Sequence, residues 1–74
     1  MNKRGIVINK KITHKLFKKK YYITVKFDTP YNRLKKDTAI FEVEETIHNN
    51  LIKGAFVSCK FEQVPEGLSP LYLQ

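Results

Sequence analysis

The ten residues from Lys18 to Phe27, KKKYYITVKF, constrain this chain more than any other stretch. From Tyr21 onward the residue types alternate. Tyr21, Ile23, Val25 and Phe27 fall on one side, and Tyr22, Thr24 and Lys26 on the other. A period of two built from β-branched and aromatic residues describes a strand with one face buried and one face wet. Its apolar face needs covering, and the remaining segments read as elements that pack beside it.

Upstream, GIVINKKIT from Gly5 to about Thr13 reads as a first strand, with Ile6, Ile8 and Ile12 on one face and Val7 on the other. The pattern decays at Asn9-Lys10-Lys11, where a bulge or an early exit into a loop is expected. Between Lys10 and Lys20 lie six lysines, His14 and Phe17, with no apolar face at helical spacing. A mobile, charged connection is expected there, followed by the second strand from about Lys19 to Phe27.

Downstream, DTPYNRLKKDT clusters the turn formers Asp28, Thr29, Pro30 and Asn32, and carries the cations Arg33, Lys35 and Lys36. Proline at 30 pushes Thr29 out of helical dihedrals, so this is a loop. In AIFEVEE, Ala39, Phe41 and Val43 alternate with Ile40, Glu42 and Glu44, a third strand. EETIHNNLIKG then changes period, predicting one helical turn closed by Lys53-Gly54. AFVSCKF is a fourth strand with Ala55, Val57, Cys59 and Phe61 on one side. VPEG is a turn, and LSPLYLQ a short fifth strand whose Pro70 suits an edge.

Four or five short strands, turn signals roughly every ten residues and one helical turn predict a single all-β domain over residues 1–74, a small antiparallel barrel. An SH3-like form is favoured, because a helical turn before the last strands and a long charged early loop suit it. An OB-like barrel is the alternative, although it usually needs a longer chain. The expected core comprises Ile6, Ile8, Tyr21, Ile23, Val25, Phe27, Phe41, Val43, Leu51, Val57, Cys59 and Phe61.

The combination of YYITVKF with FEVEETIHNNLIKGAFVSCKF resembles small β-barrel proteins of Gram-positive bacteria, their phages and mobile elements. In these a strand ending in acids leads through a turn of helix and a glycine turn into another strand. The likeness covers Lys19 to Phe61, and this chain has Lys53-Gly54-Ala55 where the commoner pattern puts an acid after the glycine. The resemblance implies a barrel and transfers no activity.

Charge is the second constraint. The net charge is +7, and residues 1–36 hold twelve Lys or Arg against Asp28 alone, a balance of +11, while residues 37–74 hold two against six acids, −4. Such asymmetry points the first half toward a polyanion. The expected interface is Lys10, Lys11, Lys15, Lys18, Lys19 and Lys20, joined by Arg33, Lys35 and Lys36 on the next loop, with Tyr22 stacking on a base and Phe17 or Tyr31 assisting. Lysine supplies twelve of the fourteen cations. Since bidentate base reading prefers arginine, binding is expected at the DNA or RNA backbone with little sequence specificity. Aromatic contact through Tyr22, Tyr31, Phe56 and Tyr72 is the alternative, a protein-interaction or phage-type accessory module.

Catalysis and cofactors are not expected. His14 and His48 are far apart in sequence, and a lone Cys59 on an apolar strand face reads as a structural thiol. Glu42, Glu44 and Glu45 read as an acidic strand edge that discourages edge pairing. One cysteine cannot form an internal disulfide, and Ile6-Val7-Ile8 is far short of a signal-peptide core or a membrane span, so a cytoplasmic protein without a membrane or small-molecule partner is expected. A chain of 74 residues is also short for a deep substrate pocket.

Overall fold

The computed structural model describes residues 1–74. It contains β1 (Asn2–Lys15), β2 (Lys18–Phe27), β3 (Thr38–Val43), α1 (Glu45–Asn50), β4 (Phe56–Val64) and β5 (Gly67–Leu73). The strands form one sheet in the order β3-β2-β1-β4-β5, with every neighbouring pair antiparallel. The outer strands β3 and β5 touch, and an Asn32–Gly67 bridge ties the β2–β3 loop to the start of β5. The result is a nearly closed five-stranded barrel with one short helix. Pro70 lies in β5, whose outer side has no regular ladder for the missing N–H to break.

The core follows the alternation of β2. Ile23, Val25 and Phe27 are buried beside Phe41 and Ala39 of β3 and Val57, Cys59 and Phe61 of β4. Val43 and Leu51 pack against this group from the edge, and Tyr21 is half-buried above it.

On β1 the expected phase is overturned. Val7 is buried, whereas Ile6 is half-buried and Ile8 is 43% exposed. Gly5 lies opposite Phe27 and Val7 opposite Val25, so odd residues face inward at first. The register then shifts between Val7 and Asn9, after which Lys10 faces Ile23 and Ile12 faces Tyr21. A one-residue bulge at Ile8 exchanges the two faces, which simple alternation cannot reveal. Gly5 sets the first phase: a Cβ there would collide with Val25 Cγ1 and lie 2.8 Å from the Lys26 carbonyl oxygen.

Two further expectations are corrected. Lys10–Lys20 is ordered strand: β1 runs to Lys15, β2 begins at Lys18, and only Leu16 and Phe17 turn the chain. The pairing of each lysine-bearing strand with the other supplies the backbone hydrogen bonds that composition alone does not suggest. Tyr31 is core. Its ring packs against Phe27 (5.8 Å between centroids) and Phe61 (5.3 Å), and its hydroxyl donates to the Thr38 carbonyl at 2.7 Å. An amphipathic tyrosine in a polar loop can fold inward when its hydroxyl finds an acceptor.

Candidate nucleic-acid interface

The site grows out of β1 and β2. β4 pairs with β1 only from Asn2 to Ile6, and β3 pairs with β2 only from Tyr21 to Lys26. From Thr13 to Lys20 the two strands therefore have only each other as partners, forming a free two-stranded arm. Thr13 faces Lys20, His14 faces Lys19 and Lys15 faces Lys18 along it.

Strand geometry sorts the lysines by face. On the outer face of the sheet, Lys18, Lys20, Tyr22, Thr24 and Lys26 of β2 stand opposite Lys15, Thr13, Lys11, Asn9 and Ile6 of β1. Lys10 and Lys19 share the other face with Ile12, His14 and Tyr21. A shallow concavity of about 480 Å³ marks the root of the outer face, lined by Asn9, Lys11, Thr13, Tyr22, Thr24 and Ile40. Tyr22 is half-buried there, between Lys11 on one side and Glu42 on the other.

The cations on the arm are unpaired by acids. None of the hydrogen bonds made by side chains joins a lysine or arginine to a carboxylate; Lys3 Nζ donates to the Thr29 hydroxyl, and Glu45 accepts from the Tyr21 hydroxyl. The acidic patch does sit near the root of the arm, where Glu42, Glu44 and Glu45 border the same surface depression as Lys19 and Lys20. Lys11, Lys15 and Lys18 stand clear of that depression.

The structure does not bring Arg33, Lys35 and Lys36 to this surface. They belong to the loop after Phe27, nine residues along β2 from Lys18, about 30 Å at the rise of an extended strand. Arg33 instead donates its backbone N–H to the Glu66 carbonyl at 2.9 Å, beside the β4–β5 turn. The expected patch thus divides into an arm at one end of the barrel and a loop at the other. Phe17 is at the tip of the arm, while Tyr31, being core, is removed from the set.

Sequence reasoning placed Thr24 on the face of Tyr22 but missed Asn9, Thr13 and Ile40 around it, because these lie on β1 and β3 and only the cross-strand register brings them there.

The remaining chemical groups are accounted for by packing. Cys59 is wholly buried, and burial pushes its thiol up to about 11, so it stays protonated and unreactive. The Tyr21 hydroxyl is held above its ordinary value by its hydrogen bond to Glu45, and that of Tyr31 by burial and then by Asp37. His48 on the helical turn is buried: its ring lies 5.2 Å from that of Tyr21, and its Nε2 has no hydrogen-bond partner. No three His, Cys, Asp or Glu side chains gather as a metal site. No helix is long and apolar enough to cross a membrane. No protein family, characterised protein or solved structure matches the chain.

Proposed function

We propose that this protein is a non-catalytic, cytoplasmic nucleic-acid-binding barrel that holds the phosphate backbone with the lysines of its β1–β2 arm. The observation that carries the reading is the arm itself: Lys15, Lys18, Lys19 and Lys20 lie on its two paired strands, Lys11 stands at its root beside Tyr22 and Lys10 on the other face, and no acid falls between Asn9 and Phe27. Tyr22 at the root offers a stacking face. Aromatic stacking is tolerant of sequence, as is lysine contact with phosphate, so little sequence preference follows.

Topology supports the same reading by analogy. The order β3-β2-β1-β4-β5, with β3 touching β5 and the helix between β3 and β4, fits the OB-like alternative better than the SH3-like form. OB barrels bind oligonucleotides on the face of strands 2 and 3 and with the β1–β2 loop, which here correspond to the Tyr22 surface and the arm. Fold alone does not assign function, and the lysine arm carries the weight.

The test is fluorescence anisotropy with labelled DNA and RNA at 50 and 200 mM salt. If five lysines each neutralise a phosphate, the slope of log affinity against log salt is about −4.5 and binding weakens about 500-fold over that range. A triple variant, Lys11→Gln, Lys15→Gln and Lys18→Gln, should bring the slope to about −2. An absence of binding at 50 mM salt, or a slope the variant leaves unchanged, would refute the proposal.

A protein-interaction role is the second reading, and one observation favours it. Ile47, Leu51, Phe56 and Leu73 line an apolar concavity of about 380 Å³ between α1, β4 and β5, with the Arg4 guanidinium 4.5 Å from the Phe56 ring centroid. Affinity capture with wild type and Phe56→Ala tests it, and a complex indifferent to that change counts against the surface.

A further inference from the structure

We infer that the tip of the arm, Leu16 and Phe17, is an apolar wedge that enters the base stack of duplex DNA while the arm lysines lie against the phosphates on either side. The inference rests on the nucleic-acid reading above and adds to it the kind of nucleic acid and a base contact that lysines alone do not provide.

The first observation is the composition of the turn. Two-residue hairpin loops ordinarily use Asn, Asp or Gly, because positive φ is needed at one or both positions. Here Leu16 adopts φ 55°, in the left-handed region, and Phe17 follows. Leu16 is 94% exposed and Phe17 fully so, with no contact in the barrel to explain either. A bulky apolar pair held in an unfavourable conformation, in water, at the end of the free arm contributes nothing to the core. An observed outlier of this kind is a reason to look for function.

The second observation is the charge around the tip. Lys15 and Lys18 flank it on one face of the arm, with Lys20 behind them, and Lys19 and His14 occupy the other face. A ribbon that is basic on both faces matches a groove with a phosphate wall on each side. B-DNA provides one: its major groove, about 12 Å wide and 8.5 Å deep, admits a two-stranded β-ribbon. The free arm from Thr13 to Leu16 spans three residues, about 10 Å, enough for the tip to reach the groove floor. The A-form RNA major groove is too narrow to admit side chains in this way. Phe and Leu are among the residues that DNA-bending proteins insert between base steps from the minor groove, and the inference places the same kind of side chain against the stack from the major-groove floor.

The direction of the charge separates this ligand from a lipid surface. Lysines do not ring the tip in a plane; Lys15, Lys18 and Lys20 stand on one face of the arm and Lys19 on the other. A membrane surface would meet only the end of the arm, whereas groove walls on each side of an inserted arm meet both faces.

The chain has no tryptophan, so Phe17→Trp places a single indole reporter at the tip. It is titrated with duplex DNA, single-stranded DNA and phosphatidylserine-containing vesicles, beside a duplex carrying 2-aminopurine at a central TA step read with wild type. The expected result is indole quenching and increased 2-aminopurine emission on duplex binding. A Leu16→Gly, Phe17→Ser variant, altering only exposed turn residues, should keep the salt slope, bind duplex about tenfold more weakly and lose the 2-aminopurine response. Saturable duplex binding with unchanged indole and 2-aminopurine emission overturns the wedge and leaves the lysine reading standing. Quenching by single strands alone overturns the duplex assignment. An indole blue shift on vesicles without DNA quenching gives the tip to lipid and overturns the inference. No binding to any nucleic acid overturns both this inference and the function it rests on.

Discussion

Replacing Gly5 with alanine tests the phase of β1 directly. The added methyl group would overlap Val25 Cγ1, approach the Lys26 carbonyl oxygen to 2.8 Å and lie 3.0 Å from Phe27 Cδ1. Val25 is completely buried and Phe27 nearly so, and the carbonyl belongs to the β2 backbone, so no flexible side-chain end can yield. Overpacking of this kind costs about 1–3 kcal/mol. Against it, alanine reduces the freedom of the unfolded chain and returns about 0.4–1 kcal/mol. With a collision against backbone the upper part of the first range applies, giving a net loss of about 2 kcal/mol. A domain of this size has a total stability of roughly 4–11 kcal/mol at typical values per residue, so the loss is a large fraction. The expected fall in Tm is about 8–16 °C. Urea unfolding followed by circular dichroism should show a midpoint lower by 1–2 M, about what an m-value of 1–2 kcal/mol/M gives, with m unchanged. A variant within about 0.5 kcal/mol of wild type would refute the packing of Gly5 on Val25, and with it the inward phase of Gly5 and Val7.

Two other perturbations follow from buried polar groups. His48→Leu removes the buried Nε2 that has no partner, so urea unfolding should show a variant about 1 kcal/mol more stable, and a destabilised variant would reveal a hydrogen bond that the ring makes in solution. The Cys59 thiol, raised by burial to about 11, binds its proton more tightly folded than unfolded, so its contribution is complete below the ordinary thiol value near 9 and declines as pH rises from 9 through 11. Unfolding midpoints at pH 8 and 10.5 should differ more for wild type than for Cys59→Ala, and native protein should resist thiol reagents at pH 8; equal differences, or rapid labelling, would contradict a buried thiol.

Much of the candidate site was legible because charge is additive along a chain. The six lysines from Lys10 to Lys20, and Tyr22 on the wet face of β2, follow from residue types and the period of two. Arg33, Lys35 and Lys36 were misplaced for a geometric reason: nearness in sequence across a ten-residue strand means separation by its full length. Tyr31 was misjudged because a tyrosine in a polar loop reads as exposed until the Thr38 carbonyl is seen to take its hydroxyl.

The sequence by itself determined the strand character of β2, β3 and β4, the helical turn and the basic first half, since alternation, turn formers and charge are local properties of neighbouring residues. Only the tertiary structure decided which face of β1 looks inward. That choice depends on Gly5 meeting Val25 across the sheet and on the bulge at Ile8, and both are relations between strands. The arm is of the same kind: lysine-rich segments have weak strand preference alone, and Thr13–Lys15 and Lys18–Lys20 become strand because each supplies the other's ladder.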